Sequence, residues 1–242
     1  MTNKFIFDVD GTLTPSRGKM DPVFKRWFIE FCGNNEVYLV TGSDRVKTLE
    51  QVGGIVYDAC ARVYQCSGNE VWIKEDTIRS SSWLLPSNAH EWLTAKLTES
   101  DFSIRTGQHF EHRTGMCNFS IVGRGANLEE RAKYVRYEGD VGERGHIVHK
   151  FNKLFPGVTA TAGGDTGIDI YPTGKDKAQI IKDFAKTDTL YFFGDRMDEA
   201  GNDYTLAQAI KKISPKGCYS VDSWQETWYS LGYLHEHIIN RA

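Results

Sequence analysis

The chain has 242 residues, enough for one large domain or a core carrying an inserted module. Hydrophobic residues make up 40%, enough for a packed core, and the net charge of −3 with both signs mixed argues against a nucleic-acid or membrane partner. No apolar run approaches the roughly 18–20 residues of a membrane span, and five scattered cysteines without a CxxC pair predict unpaired thiols in a reducing cytoplasm.

The chain opens on the apolar run Phe5-Ile6-Phe7, which leaves no room for a signal peptide and reads as a short buried strand. The run passes into Asp8-Val9-Asp10-Gly11-Thr12, a turn signal carrying two carboxylates. After the loop Pro15-Ser16-Arg17-Gly18, Asp21 and Pro22 have the pattern of an N-cap followed by proline at the first helical position. Val23, Trp27, Phe28 and Phe31 then fall at helical spacing, with Gly33 expected to close the helix. Val37 to Val40 predicts a second buried strand, ending in Thr41-Gly42-Ser43-Asp44, with a helix over about Arg45–Gln51. This strand–helix order favours a parallel sheet with helices on its faces. Ala61–Gln65 and Glu70–Ile73 predict strands around the turn Ser67-Gly68-Asn69.

From about Ser80 the texture changes. Asn88–Leu97 is helical, and Phe102–Thr106, His109–Arg113 and Met116–Gly123 alternate in the manner of antiparallel strands. Helices are expected over Leu128–Tyr137 and Gly145–Phe155, strands over Val158–Ala162 and Gly167–Tyr171. This block, 80–173, reads as an α+β module inserted between core segments 1–79 and 174–242. The α/β pattern then resumes with a helix over Lys177–Phe184 and the apolar strand Thr189–Phe193. That strand runs into Gly194-Asp195 and Gly201-Asn202-Asp203. A helix over Tyr204–Lys212, a strand near Cys218–Val221 and a terminal helix from Ser223 complete the chain. The histidine pairs His109/His112, His146/His149 and His235/His237 lack a further ligand at zinc spacing and are read as ordinary surface or core residues.

Four distant segments carry one kind of chemistry. Asp8 and Asp10 stand where a strand ends, the place where α/β sheets bind ligands. One can accept a phosphoryl group and the other can act as acid or base. Thr41 offers a hydroxyl beside backbone N–H groups, Lys177 a cation at a helix start, and Asp195 with Asn202-Asp203 a set of oxygen donors suited to Mg²⁺. Phosphoryl transfer needs little more than a nucleophile, a metal and cations around the equatorial oxygens.

The segments Asp8-Val9-Asp10-Gly11-Thr12, Thr41, Lys177 and Gly194-Asp195 with Asn202-Asp203 resemble the four motifs of the haloacid dehalogenase superfamily. Arg17, Arg113-Thr114-Gly115-Met116-Cys117-Asn118, Gly123-Arg124 with Arg131, and Gly163-Gly164 through Asp169-Ile170-Tyr171-Pro172 resemble the eukaryotic-type α-phosphomannomutase branch. The resemblance implies a Rossmann-like core with a type IIB-like α+β cap. It implies Asp8 as the phosphorylated nucleophile, Asp10 as acid/base, and Thr41 and Lys177 as the remaining catalytic groups. Mg²⁺ is implied at Asp8, the Asp10 carbonyl and Asp195, with Asn202 or Asp203 close by. Arg17, Arg113, Asn118, Arg124, Arg131 and Asp169 match sugar-phosphate-binding positions. Several arginines on a cap suit a second, distal phosphate, because guanidinium forks bind phosphate bidentately. Taken alone, Arg131 could instead pair with Glu129 on its own helix.

The expected activity is interconversion of mannose 6-phosphate and mannose 1-phosphate, with glucose phosphates as further substrates. The alternative is a sugar-phosphate phosphatase on the same scaffold. The resemblance also implies a hexose 1,6-bisphosphate activator, a hexose monophosphate partner, a homodimer formed through the cap and a product used in GDP-mannose biosynthesis. The chain departs from the family at Gly167, where a serine is usual, so one hydroxyl contact to the sugar phosphate is expected to be missing.

Overall fold

The computed structural model describes residues 2–237. In chain order the elements are β1 (Asn3–Phe7), α1 (Pro22–Asn34), β2 (Glu36–Val40), α2 (Arg45–Val52), α3 (Gly54–Ala59), β3 (Arg62–Gln65), β4 (Glu70–Ile73) and β5 (Asp76–Ser80). The central stretch holds α4 (Ser87–Glu99), β6 (Phe110–Arg113), β7 (Met116–Phe119), α5 (Leu128–Val141), α6 (Glu143–Leu154), β8 (Val158–Gly163) and β9 (Gly167–Pro172). The last stretch holds a 3-10 helix (Lys177–Asp183), β10 (Thr189–Gly194), α7 (Tyr204–Ile213), β11 (Cys218–Ser220) and α8 (Trp224–His237).

One sheet has seven strands in the order β11-β10-β1-β2-β3-β4-β5, and the other has four in the order β6-β7-β9-β8. In the larger sheet β1 pairs in parallel with both β10 and β2, and only the β3–β4 and β4–β5 pairings are antiparallel. Parallel pairing brings the carboxyl ends of β1, β2 and β10 to one edge, so the Asp8, Thr41 and Asp195 loops leave the sheet side by side.

Alternation along β1 divides its side chains between two cores. Phe5 and Phe7 pack with Phe24, Phe28 and Phe31 of α1 and with α3 and α8, whereas Ile6 faces Ile180, Leu206 and Ile210 on the other side. The Phe7 and Phe28 rings meet edge-on at 5.2 Å. Each such buried aromatic contributes about 1.5–3 kcal/mol through area removed from water.

Asp21 caps α1 as expected, its carboxylate accepting from the Val23 and Phe24 N–H groups. Gly33 does not close the helix. The helix continues to Asn34, and the Asn34 and Asn35 amides turn back to donate to the Glu30 and Phe31 carbonyls. Those side chains satisfy the last carbonyls, which is what terminates a helix.

In the four-stranded sheet the same alternation separates structure from chemistry. Cys117, Phe119, Ile168 and Ile170 pack against Ala89, Leu93, Tyr134 and Phe151 of the covering helices α4, α5 and α6. Asn118 and Asp169 lie directly opposite one another on the other face.

Several expectations need correction. Phe102–Thr106 has no regular secondary structure and joins neither sheet. Phe102 is buried beside Tyr134, and the Arg105 guanidinium donates to Leu97 and Ser100 carbonyls at the end of α4, so the segment serves as a cap and not a strand. The strand predicted over Met116–Gly123 stops at Phe119. Lys177–Asp183 winds as a 3-10 helix. α3 and β5 had no clear signal in the sequence. The five cysteines are unpaired. Among the described residues no helix is long and apolar enough to cross a membrane. His109 bonds the Ser120 carbonyl at 2.8 Å, and the side chains of His235 and His237 lie outside the described residues.

Candidate active site

Asp8 extends the β1 ladder by one bond, its N–H donating to the Phe193 carbonyl at 2.9 Å. The chain then turns tightly, with Leu13 and Thr14 N–H groups donating to the Val9 carbonyl and the Gly11 N–H to Thr14. This turn puts Asp8 and Asp10 on one cavity wall. Asp8 is almost wholly buried, and its Oδ1 accepts from Lys177 Nζ at 2.7 Å. Lys177 has no exposed side-chain surface, and the same Nζ donates to Asp203 Oδ1 at 2.7 Å. A lysine so enclosed is tolerable only because two carboxylates pair with it. Burial opposes its charge, yet Asp203 and Asp8 outweigh burial and push its pKa up.

Asp8, Asp195 and Asp203 each offer a carboxylate oxygen within 4.8 Å of the others. Burial pushes the Asp8 carboxyl well up, opposed by Lys177 and reinforced by Asp203 and Asp195. Burial and then the Asp203 charge push the Asp195 carboxyl up to about 7. Two buried carboxylates and the half-buried Asp195 around one ammonium leave negative charge uncompensated, and an all-oxygen donor set of this kind fits Mg²⁺. The two Asp203 oxygens are already engaged, Oδ1 by Lys177 and Oδ2 by the Arg196 N–H at 3.1 Å. Asp203 therefore anchors the lysine from below, while Asp195 and Asn202 line the cavity.

Asp10 is held differently. Its Oδ1 accepts from the Arg17 N–H at 2.6 Å and from Gln51 Nε2 at 2.8 Å, which leaves Oδ2 toward Ser43 Oγ at 3.5 Å. The Arg17 backbone is left-handed, with φ +57°, a strained conformation for a residue with a Cβ that directs its N–H at Asp10.

Thr41 follows β2, and its hydroxyl accepts from the Ser43 N–H at 3.1 Å. The Thr41 and Ser43 carbonyls accept from the Ser67 and Cys66 N–H groups at 2.8 and 2.9 Å. Cys66 and Ser67 both have positive φ, so a strained turn after β3 clamps the Thr41 loop.

The remaining expected residues converge from the four-stranded sheet and the loops beside it. Arg113 Nη1 donates to the Gly42 carbonyl at 2.6 Å and Nη2 to Glu111 at 2.9 Å, joining the two sheets. Asn118 Nδ2 donates to Asp169 Oδ1 at 2.7 Å. Arg124 forms an ion pair with Glu111. Burial, then the like charges of Arg113 and Arg17, pull the Arg124 pKa down to about 10. Arg131 does not turn to Glu129, which pairs with Lys133. Its Nη1 donates to Thr166 Oγ1 at 2.9 Å, and Asp165 lies 3.5 Å from Nη2.

One cavity of about 420 Å³ is lined by Asp8, Asp10 and Asp195 at the sheet edge and by Arg17, Arg113, Arg124 and Arg131 beyond them. Sequence reasoning missed Gln51, Ser43, Glu111, Asp165 and Thr166. Glu111 alone had a readable signal: it stands two residues before Arg113 on an alternating strand and so shares its face.

The expected serine position has a local explanation. A Cβ on Gly167 would lie 2.5 Å from Asn118 Nδ2 and 3.0 Å from the Gly163 carbonyl. The buried Asn118 amide occupies the room a side chain would need.

The sequence model described as eukaryotic phosphomannomutase matches residues 25–235. The phosphomannomutase of Saccharomyces cerevisiae is 32% identical over 211 residues, covering 83% of each chain. That of Arabidopsis thaliana is 31% identical over 234 residues, covering 92% of each. Among solved structures, the C-terminal domain of C. albicans trehalose-6-phosphate phosphatase superposes with a TM-score of 0.64 at 15% identity, over 98% of this chain and 93% of that one. A haloacid dehalogenase-like hydrolase from Bacteroides thetaiotaomicron gives 0.57 at 11% identity, over 97% and 100%. These two structures share the fold.

Proposed function

The chain belongs to the eukaryotic phosphomannomutase family, and from that membership we propose that it interconverts mannose 6-phosphate and mannose 1-phosphate through an aspartyl phosphate on Asp8. The observation that carries this reading is one cavity lined both by the carboxylates Asp8, Asp10 and Asp195 and by the guanidinium groups of Arg17, Arg113, Arg124 and Arg131. A hexose carrying phosphate at either position has a place for both ends there, whereas simple hydrolysis needs one phosphate site.

Lys177 holds Asp8 Oδ1, so attack on phosphorus is assigned to Oδ2. Asp10, fixed through Oδ1, keeps Oδ2 for the proton. When phosphorylated Asp8 meets a hexose monophosphate, Asp10 takes the hydroxyl proton. The sugar oxygen attacks phosphorus and the Asp8–phosphate bond breaks. The bisphosphate so formed turns round, Asp8 takes the other phosphoryl group, and Asp10 returns its proton to the leaving oxygen. Bound among Asp8, the Asp10 carbonyl, Asp195 and Asn202, Mg²⁺ would supply charge neutralisation at the transferring phosphoryl group. A hexose 1,6-bisphosphate would prime Asp8.

In this reading segments 1–79 and 174–242 form the catalytic core and 80–173 the cap. Glucose phosphates are further substrates, the protein is cytoplasmic and pairs through its caps, and its product feeds GDP-mannose synthesis. The test is incubation with mannose 1-phosphate, Mg²⁺ and glucose 1,6-bisphosphate. Mannose 6-phosphate should accumulate far faster than free phosphate. Phosphate release without isomerisation would replace the mutase with a sugar-phosphate phosphatase.

A further inference from the structure

The arginine-lined part of the cavity contains an acid. Glu111 of β6 lies opposite Asn118 of β7, which lies opposite Asp169 of β9, so the three form one row on the cavity face. The Glu111 Oε2 oxygen accepts from Arg113 Nη2 at 2.9 Å and is ion-paired with Arg124 at its Nε. One carboxylate thus bridges two guanidinium groups on which a distal phosphate would rest. The field of Arg113 and Arg124 outweighs the burial of Glu111 and holds its carboxyl below the usual range, so the bridge is ionised at neutral pH.

We infer that Glu111 is a resident counter-anion of the distal phosphate site, occupying Arg113 and Arg124 until substrate displaces it and so weakening the grip on that phosphate. The inference rests on the mutase reading. A mutase must let go of the distal phosphate of its bisphosphate in every cycle, because the two ends exchange places. Unopposed arginines would hold a dianion through several charge-assisted bonds, and tighter binding of this kind appears mainly as slower release. An internal carboxylate that returns as the phosphate leaves lowers the cost of release, because neither arginine is left unpaired in a partly buried site. Asp165 stands in the same relation to Arg131, at 3.5 Å.

A purely structural role makes the opposite prediction. If Glu111 only orients the arginines, neutralising it must loosen substrate binding. The sign of the change therefore decides. In the full chain, Glu111→Gln should bind mannose 6-phosphate roughly tenfold tighter in Mg²⁺-free calorimetry, since a repulsive charge has gone. In the mutase assay it should lower KM and kcat together, because release has slowed. Glu111→Asp draws the carboxylate back by one methylene and should tighten binding roughly threefold. It serves as the readout if the glutamine variant does not fold. Binding that is unchanged or weaker in a folded variant overturns the inference and leaves the mutase standing. Wild-type protein that binds no mannose 6-phosphate overturns both.

Discussion

Gly11 and Asp195 come from opposite ends of the chain and meet because Gly11 has no side chain. A Cβ on Gly11 would lie 2.5 Å from Asp195 Oδ2, and the Gly11 backbone is left-handed at φ +77°. The glycine of the Asp-Gly-Thr turn thus serves the turn and gives the metal-type carboxylate room to approach Asp8.

Gly11→Ala should displace Asp195 and strain the turn. Misplacing a reacting group by about 1 Å costs on the order of a hundredfold, so kcat is expected to fall by about that factor. The thermal stabilisation that Mg²⁺ gives the wild type should also disappear, which differential scanning fluorimetry reads without turnover. A variant that kept both would show that Asp195 is not held by this contact.

Lys177→Met removes the only cation between Asp8 and Asp203 among their described partners. Leaving buried carboxylates unpaired costs about 3–5 kcal/mol. Activity should be lost, and urea unfolding should show this destabilisation at neutral pH. Burial pushes the Asp8 carboxyl up, and the lysine that opposes this shift is gone in the variant. The variant should regain stability as pH falls toward that raised value, opposite to the usual acid destabilisation.

Mg²⁺ binding should depend steeply on pH. The Asp195 carboxyl is raised to about 7 from its ordinary value of 3.8. In the metal-free protein the stability associated with its protonated form is fully present below the ordinary value and lost as pH rises through the folded one. The cation needs the ionised form, so its affinity should fall roughly tenfold per unit below that pKa. The melting-temperature shift caused by Mg²⁺ should be small near pH ~6 and large near pH ~8, both on the order of one unit from that pKa. A shift equal at both would place the cation elsewhere.

Gly167→Ser introduces the serine that the resemblance led us to expect and should not help this chain. The new Cβ would press on Asn118 Nδ2, which is held by Asp169. Overpacking of this sort costs about 1–3 kcal/mol. The melting temperature should drop and KM for mannose 1-phosphate should rise. A neutral or tighter variant would mean that the Asn118–Asp169 pair yields readily.

Much of the site was legible because its parts are local patterns. Asp8 and Asp10 follow an apolar strand, Asp195 follows another, and Lys177 opens a helical turn, so each could be placed at an element end from neighbours in sequence. Asp21 and Pro22 announced α1 for the same reason. Errors arose where distant groups intervened. Phe102–Thr106 alternates well enough for a strand, but its Arg105 is drawn to the end of α4. Gly33 has the look of a terminator, yet asparagine side chains beyond it complete the helix.

The sequence by itself determined which residues could do phosphoryl chemistry and that strands would carry them, because alternation and turn chemistry act over a few residues. Only the tertiary structure decided how they share the work. Asp203 holds the lysine while Asp195 faces the cavity, and Glu111 rests between two arginines. The reason is that parallel pairing of β1 with β2 and β10, and the contact of Arg113 from the second sheet with the Gly42 loop at that edge, sets these charges within a few ångströms of one another in a largely buried site. Coulomb interactions there depend on distance and burial, and neither is written in the spacing of residues along a chain.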